Sequence, residues 1–119
     1  DPALVVRSAA VDVLSKNMKD ADRGVLWKEL DSGYNRRSGQ SLWIRGQILE
    51  ALALDAHKSE FKRFSEMLSE KDEAVQKASM KGLEKITGLQ VARNAPSHSR
   101  AVQLWQAHVS RQLASELPQ

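Results

Sequence analysis

Asp1-Pro-Ala-Leu-Val-Val-Arg-Ser-Ala-Ala-Val-Asp-Val-Leu14 reads as a capped amphipathic helix. Asp1 can accept hydrogen bonds from the free N–H groups of a first turn, and its charge suits the positive helix end. Pro2 fits the first helical position, where its missing N–H costs nothing. Val6, Ala10, Val13 and Leu14 follow at spacings of three and four, which places them on one apolar face. The pattern then returns twice. Val6, Arg7, Ala10 and Leu14 map onto Ile44, Arg45, Ile48 and Leu52 at an offset of 38 residues, and these onto Val75, Gln76, Ser79 and Leu83 after a further 31. One helix repeated along a chain implies a stacked helical array, all-α in class.

Working outward, the first helix should run from about Pro2 to Met18, and a second from about Asp22 to Asp31, with Val25, Leu26, Trp27 and Leu30 apolar. Residues 32–41 are rich in turn formers and form a long loop. Ser41 is expected to cap a third helix, about Leu42 to Asp55, with Ile44, Ile48, Ala51 and Leu52 inward. A fourth, about Ser59 to Ser69, buries Phe61, Phe64 and Leu68. The fifth starts at the cap Asp72, carries Val75, Ala78, Ser79, Leu83 and Ile86, and stops at Gly88 in a left-handed conformation. Gly82 stands where Val13 and Ala51 stand in the other copies, and its small size predicts close approach of a neighbouring helix, offsetting a helix penalty of about 1 kcal/mol. After a loop over 88–97, a closing helix begins near Ser99 and carries Val102, Trp105, Val109 and Leu113, fraying from Ser115. No stretch alternates with period two for long enough to predict a strand.

The motif Asp-Pro-x-x-x-Val-Arg-x-x-Ala-x-x-x-Leu resembles the second helix of a HEAT repeat, a helical hairpin of roughly 40 residues. In that family the Asp and Arg hydrogen-bond between successive units. Asp1, Arg7, Arg45 and Asp72 match those positions, and Gln76 departs from the Arg, which weakens the ladder at the last unit. Ile86-Thr-Gly88 followed by Trp105 resembles the closing segment of many bacterial HEAT-repeat proteins. The resemblance implies an α-solenoid with units at about 1–18, 22–55 and 59–88, closed by 99–115. It implies little about function.

At 119 residues the chain is one domain, with a net charge of +3 from 18 basic and 15 acidic residues. No block of like charges marks an electrostatic tail. Cysteine is absent. Disulfides, thiol catalysis and cysteine-bound zinc are excluded, and the compartment is left open. The apolar runs fall far short of the ~20 residues that span a bilayer. With no initiator Met or signal peptide, and a start in what should be the second helix of a unit, the chain reads as a fragment or processed chain. An absent first helix would leave one face of the opening helix uncovered, to be filled by a symmetry mate or by further sequence.

Catalytic signals are weak. His57, His98 and His108 form no metal-binding spacing, and Ser97-His98-Ser99 reads as the start of a helix with Ser99 as its cap. Glu70, Asp72 and Glu73 read as a capped turn. No phosphate loop, nucleophile elbow, metal set or cofactor motif is present. Binding signals are stronger. Tyr34, Arg36 and Arg37 combine an aromatic with two arginines in a long loop, a composition enriched at interface hot spots. Lys77, Lys81 and Lys85 recur every four residues and share one exposed helix face. Trp27 and Trp105 are expected as core anchors. Core packing is favoured for tryptophan on a helix, while the position of Trp43, at the start of the third helix, places it beside the arginine loop.

These features predict a non-catalytic protein-interaction scaffold or regulatory module. Its contact residues are Tyr34, Arg36, Arg37, Trp43, Lys77, Lys81 and Lys85, and it needs no cofactor. Self-association through the first helix is a further expectation. Nucleic-acid binding by concave Lys and Arg is the alternative, although Asp12 and Glu50, aligned with Lys81, interrupt a basic track. A weaker possibility is a lyase-like subunit of a larger enzyme, since some bacterial HEAT-like chains attach chromophores; no residue argues for that chemistry.

Overall fold

The three repeated helices lie side by side in one row. A computed structural model describes residues 2–116, so the expected capping role of Asp1 lies outside the described residues. The helices are α1 (Pro2–Ser15), α2 (Asp20–Leu30), α3 (Trp43–Ala53), α4 (Phe61–Met67), α5 (Glu73–Thr87) and α6 (His98–Glu116). Helix α3 packs against α1 on one side and α5 on the other; α2 backs α3, α4 backs α5, and α6 lies beside α5. The fold is all-α, interrupted by one hairpin of two-residue strands, β1 (Arg36–Arg37) and β2 (Gln40–Ser41). The row is elongated, 48 × 29 × 27 Å, with a radius of gyration of 14.7 Å. A globular domain of this length would have about 13.5 Å.

The core runs between the two layers. Leu26, Trp27 and Leu30 of α2, Ile44, Ile48, Leu49 and Leu52 of α3, Phe64 and Leu68 at α4, and Val75, Ala78 and Leu83 of α5 are all buried. Each large apolar side chain buried this way contributes about 1.5–3 kcal/mol. Trp105 is fully buried and closes the α5 end, as its spacing on α6 predicts. Leu113, expected on the same stripe, is exposed. Gly82 permits the tightest contact: a Cβ there would lie 2.5 Å from the Phe64 ring. Ser79, on the same face, donates its hydroxyl to the Phe64 carbonyl.

The helix ends follow local hydrogen bonding. Asp72 caps α5 by accepting from the Ala74 N–H at 3.0 Å, and Gly88 ends it at φ 72°. Helix α1 stops at Ser15 rather than Met18, because the Lys16 N–H turns back to the Val13 carbonyl in a tighter i→i−3 bond. Helix α2 begins at Asp20, two residues early, where Asp22 reaches back to the Lys19 N–H. Ser41 does not cap α3; its hydroxyl accepts from Arg45 instead, and Leu42 holds the cap position. A 3-10 turn over Lys58–Glu60 replaces the first turn expected of α4. Ser97, not Ser99, caps α6 by accepting from the Arg100 N–H at 3.1 Å, and α6 stays helical through Glu116.

The aligned polar residues Arg7, Arg45 and Gln76 each reach forward along the row. Arg7 donates to Asn35 Oδ1 and to the Tyr34 carbonyl. Arg45 donates to the Leu30 carbonyl and Ser41 and pairs with Glu70. Gln76 donates to the Glu70 carbonyl and meets His98. The carboxylate that meets Arg45 belongs to Glu70, because Asp72 is occupied as a cap. Among the described residues no helix is long and apolar enough to cross a membrane.

Candidate functional site

Small residues bring α3 and α5 together and leave a trough along their junction. A Cβ on Gly46 would come within 2.8 Å of the Ala74 Cβ, so glycine is what allows the approach. Gly46 and Ala78 are buried and form the floor of a cavity of about 340 Å³. Its exposed walls are Trp43, Glu50, Lys77 and Lys81. A second, larger cavity of about 800 Å³ shares Trp43 and Ala74 with the first. It extends under the hairpin to Arg36, Arg45, Glu70 and Lys71. Trp43 therefore stands at the junction of one continuous depression, and it is 56% exposed. Core packing, favoured for it from sequence, does not hold: it opens α3, and the inward face starts one residue later at Ile44.

The acids of the trough are already engaged. Glu70 forms an ion pair with Arg45 Nη1 at 2.5 Å and accepts from Arg36 Nη2 at 3.3 Å, tying the hairpin to the α4–α5 turn. Glu50 pairs with Lys81 at 3.0 Å. Asp72 is spent on the α5 cap. Arg45 is 1% exposed, and its Nη2 has no hydrogen-bond partner among the described residues. Lys71 and Lys77 line the two cavities and form no ion pair among the described residues.

Of the residues singled out from sequence, Arg36, Trp43, Lys77 and Lys81 meet in this trough. Lys85 is exposed on the same helix but lines neither cavity. Arg37 is exposed on β1, paired across the ladder with Gln40. Tyr34 is elsewhere. It lies in a 3-10 turn, donates its hydroxyl to the Glu29 carboxylate, and is covered by the Arg7 guanidinium at 4.8 Å. That bond to Glu29 holds its phenol above the ordinary tyrosine value. It lines a separate cavity of about 260 Å³ between α1 and α2. The aromatic that accompanies the arginine loop is therefore Trp43, one helix start further on.

Sequence reasoning missed Gly46, and it read Glu70 only as part of a capped turn and not as the partner of Arg36 and Arg45. Gly46 carries a legible signal, a glycine inside a helix pattern, which marks close approach when it is tolerated. Glu70 carries none, since its partners lie 25 and 34 residues away. The Ser97-His98-Ser99 run is divided in use: Ser97 caps α6 and His98 Nε2 lies 2.7 Å from Gln76 Oε1. Among the described residues no group of three or more His, Cys, Asp and Glu is placed to hold a metal ion. Set against protein-family models, curated proteins and solved structures, the chain matches none.

Proposed function

We propose that this chain is a HEAT-like helical-repeat module that acts without catalysis, by receiving another protein in the α3–α5 trough. One observation carries the reading: Trp43 is held exposed at the meeting point of two cavities, on rigid helices, among Arg36, Lys77 and Lys81. Trp and Arg dominate the energetics of protein interfaces, and here both stand in one depression. The scaffold is preformed, so binding costs little ordering entropy. The row of α1, α3 and α5 backed by α2 and α4 supports the HEAT-like reading.

The test is capture from a lysate of the source cell, with and without nuclease, using the chain and two variants, Trp43→Ala and Lys77→Glu. A protein partner that survives nuclease and is lost with both variants is the expected outcome. Recovery of nucleic acid, with binding that falls steeply with salt and ignores Trp43→Ala, would install phosphate-backbone binding instead.

The exposed face of α1 carries a second proposal, self-association. Val5, Val6 and Val13 of α1 and Val25 of α2 are each exposed, and α1 stands at one end of the row. The charged residues beside them, Arg7 and Glu29, are each held by Tyr34 or Asn35. A nearly neutral, apolar face of this kind fits a second copy of itself.

A further inference from the structure

Resting on the trough as the contact surface, the charge balance of its walls says what chemistry should occupy it. Five cations line the two cavities: Arg36, Arg45, Lys71, Lys77 and Lys81. Three acids line them, and each has its carboxylate engaged: Glu50 by Lys81, Glu70 by Arg36 and Arg45, Asp72 by the Ala74 N–H. Lys71 and Lys77 are left with no acid partner among the described residues, one in each cavity. Between them stands Trp43, shared by both cavities, above the small residues Gly46 and Ala78. A basic segment would meet uncompensated lysines and would have to break the Glu50 and Glu70 pairs to find partners. A neutral one would leave the lysine surplus unused.

We propose that the trough takes an acidic peptide segment with one apolar side chain. Its carboxylates meet Lys71 and Lys77, and its apolar group lies against Trp43. The two lysines set orientation and association rate, and the tryptophan supplies the buried contact. A duplex phosphate backbone would use the same lysines but gain nothing from Trp43, because its bases are already stacked on one another.

The decisive experiment is selection of twelve-residue random peptides displayed on phage against the immobilised chain. Selected peptides are then assayed by fluorescence anisotropy at several salt concentrations. The expected result is enrichment of Asp and Glu around a single Leu, Ile, Met or aromatic residue. Lys77→Glu and Trp43→Ala should each weaken those peptides by about tenfold or more, with the helical circular-dichroism signal unchanged. Neutral or basic winners, no enrichment, or acidic winners indifferent to both variants would overturn the proposal. The lysate experiment keeps the two failures apart. A cellular partner lost with Trp43→Ala, together with no acidic preference, removes only the partner's chemistry. A partner indifferent to both variants removes the site itself.

Discussion

Glu60 joins the two helix pairs through a single carboxylate. It is 8% exposed and accepts from Arg23, from Trp27 Nε1 at 2.6 Å and from the His57 N–H at 2.8 Å. Arg23 also donates to the Leu52 carbonyl at 2.9 Å, so the buried pair is well satisfied. Burial by itself would raise the Glu60 carboxyl; the bonds from Arg23, His57 and Trp27 outweigh it and hold the carboxyl below its ordinary value. A carboxyl depressed in the folded state stabilises above its unfolded pKa, and that stability is lost as pH falls through the folded value. Urea midpoints measured from pH 7 down to pH 3 should therefore fall for the native chain, with a smaller fall for Glu60→Gln across the same window. Arg23→Leu leaves Glu60 buried and unpaired, and should cost about 3–5 kcal/mol in urea unfolding, with part recovered by adding Glu60→Leu. An equal pH slope in native and Glu60→Gln chains would remove Glu60 from the acid sensitivity. Neither residue announced this in sequence. Arg23 and Glu60 sit 37 positions apart, and each looks locally like an ordinary solvated charge.

Among the elements, α5 was the most legible, and its contact with α4 is the sharpest test of packing. Cap, apolar stripe and glycine stop all lie within seventeen consecutive residues, Asp72 to Gly88, so local rules suffice to place it. Gly82 in its interior is explained only by Phe64, whose ring is fully buried and held edge-on by Trp27 at 5.1 Å. Gly82→Ala should raise helix propensity by about 1 kcal/mol, yet overpacking of a well-filled core costs about 1–3 kcal/mol. The ring is fully buried against Trp27, so the balance should be a net loss, read as a lower urea midpoint. In a double-mutant cycle, Gly82→Ala should cost less in a Phe64→Leu background than in the native one. Additive losses would mean that the ring yields easily. The hairpin was illegible for the opposite reason. Its strands are two residues long, too short for any alternation, and it is made by Ser38 and Gly39 at φ 52° and 77°. Only the Ser-Gly pair hinted at a turn.

For the whole molecule, the row of helices followed from the 38- and 31-residue offsets, while the trough did not. Its walls come from the hairpin, α3, the α4–α5 turn and α5, and no local rule places those stretches beside one another. The repeat also exposes what differs between its copies. Ile44 and Ile48 are buried where α2 backs α3, and Val75 and Ser79 are buried where α4 backs α5. Their counterparts Val6 and Ala10 are exposed, Val6 at 68%, and Val13 is 69% exposed. Helix α1 touches the array chiefly through α3, burying Val11 and half-burying Leu4 and Leu14 on the other side of the helix. The uncovered valines share α1 with Ala10, which lines the cavity between α1 and α2 together with Val25. Contiguous apolar surface of this kind marks an interface. A two-fold axis beside α1 would lay α1 of one copy along the α1–α2 groove of the other, burying the same face twice. Sedimentation-velocity runs over a hundredfold range of concentration should show monomers converting to dimers. Val6→Asp with Val13→Asp should abolish the conversion and leave the thermal midpoint of the monomer within about 4 °C, because both side chains are already in water and surface changes seldom exceed about 0.5 kcal/mol each. A native chain that stays monomeric throughout, or dimers that survive the two aspartates, would show that α1 is not the contact.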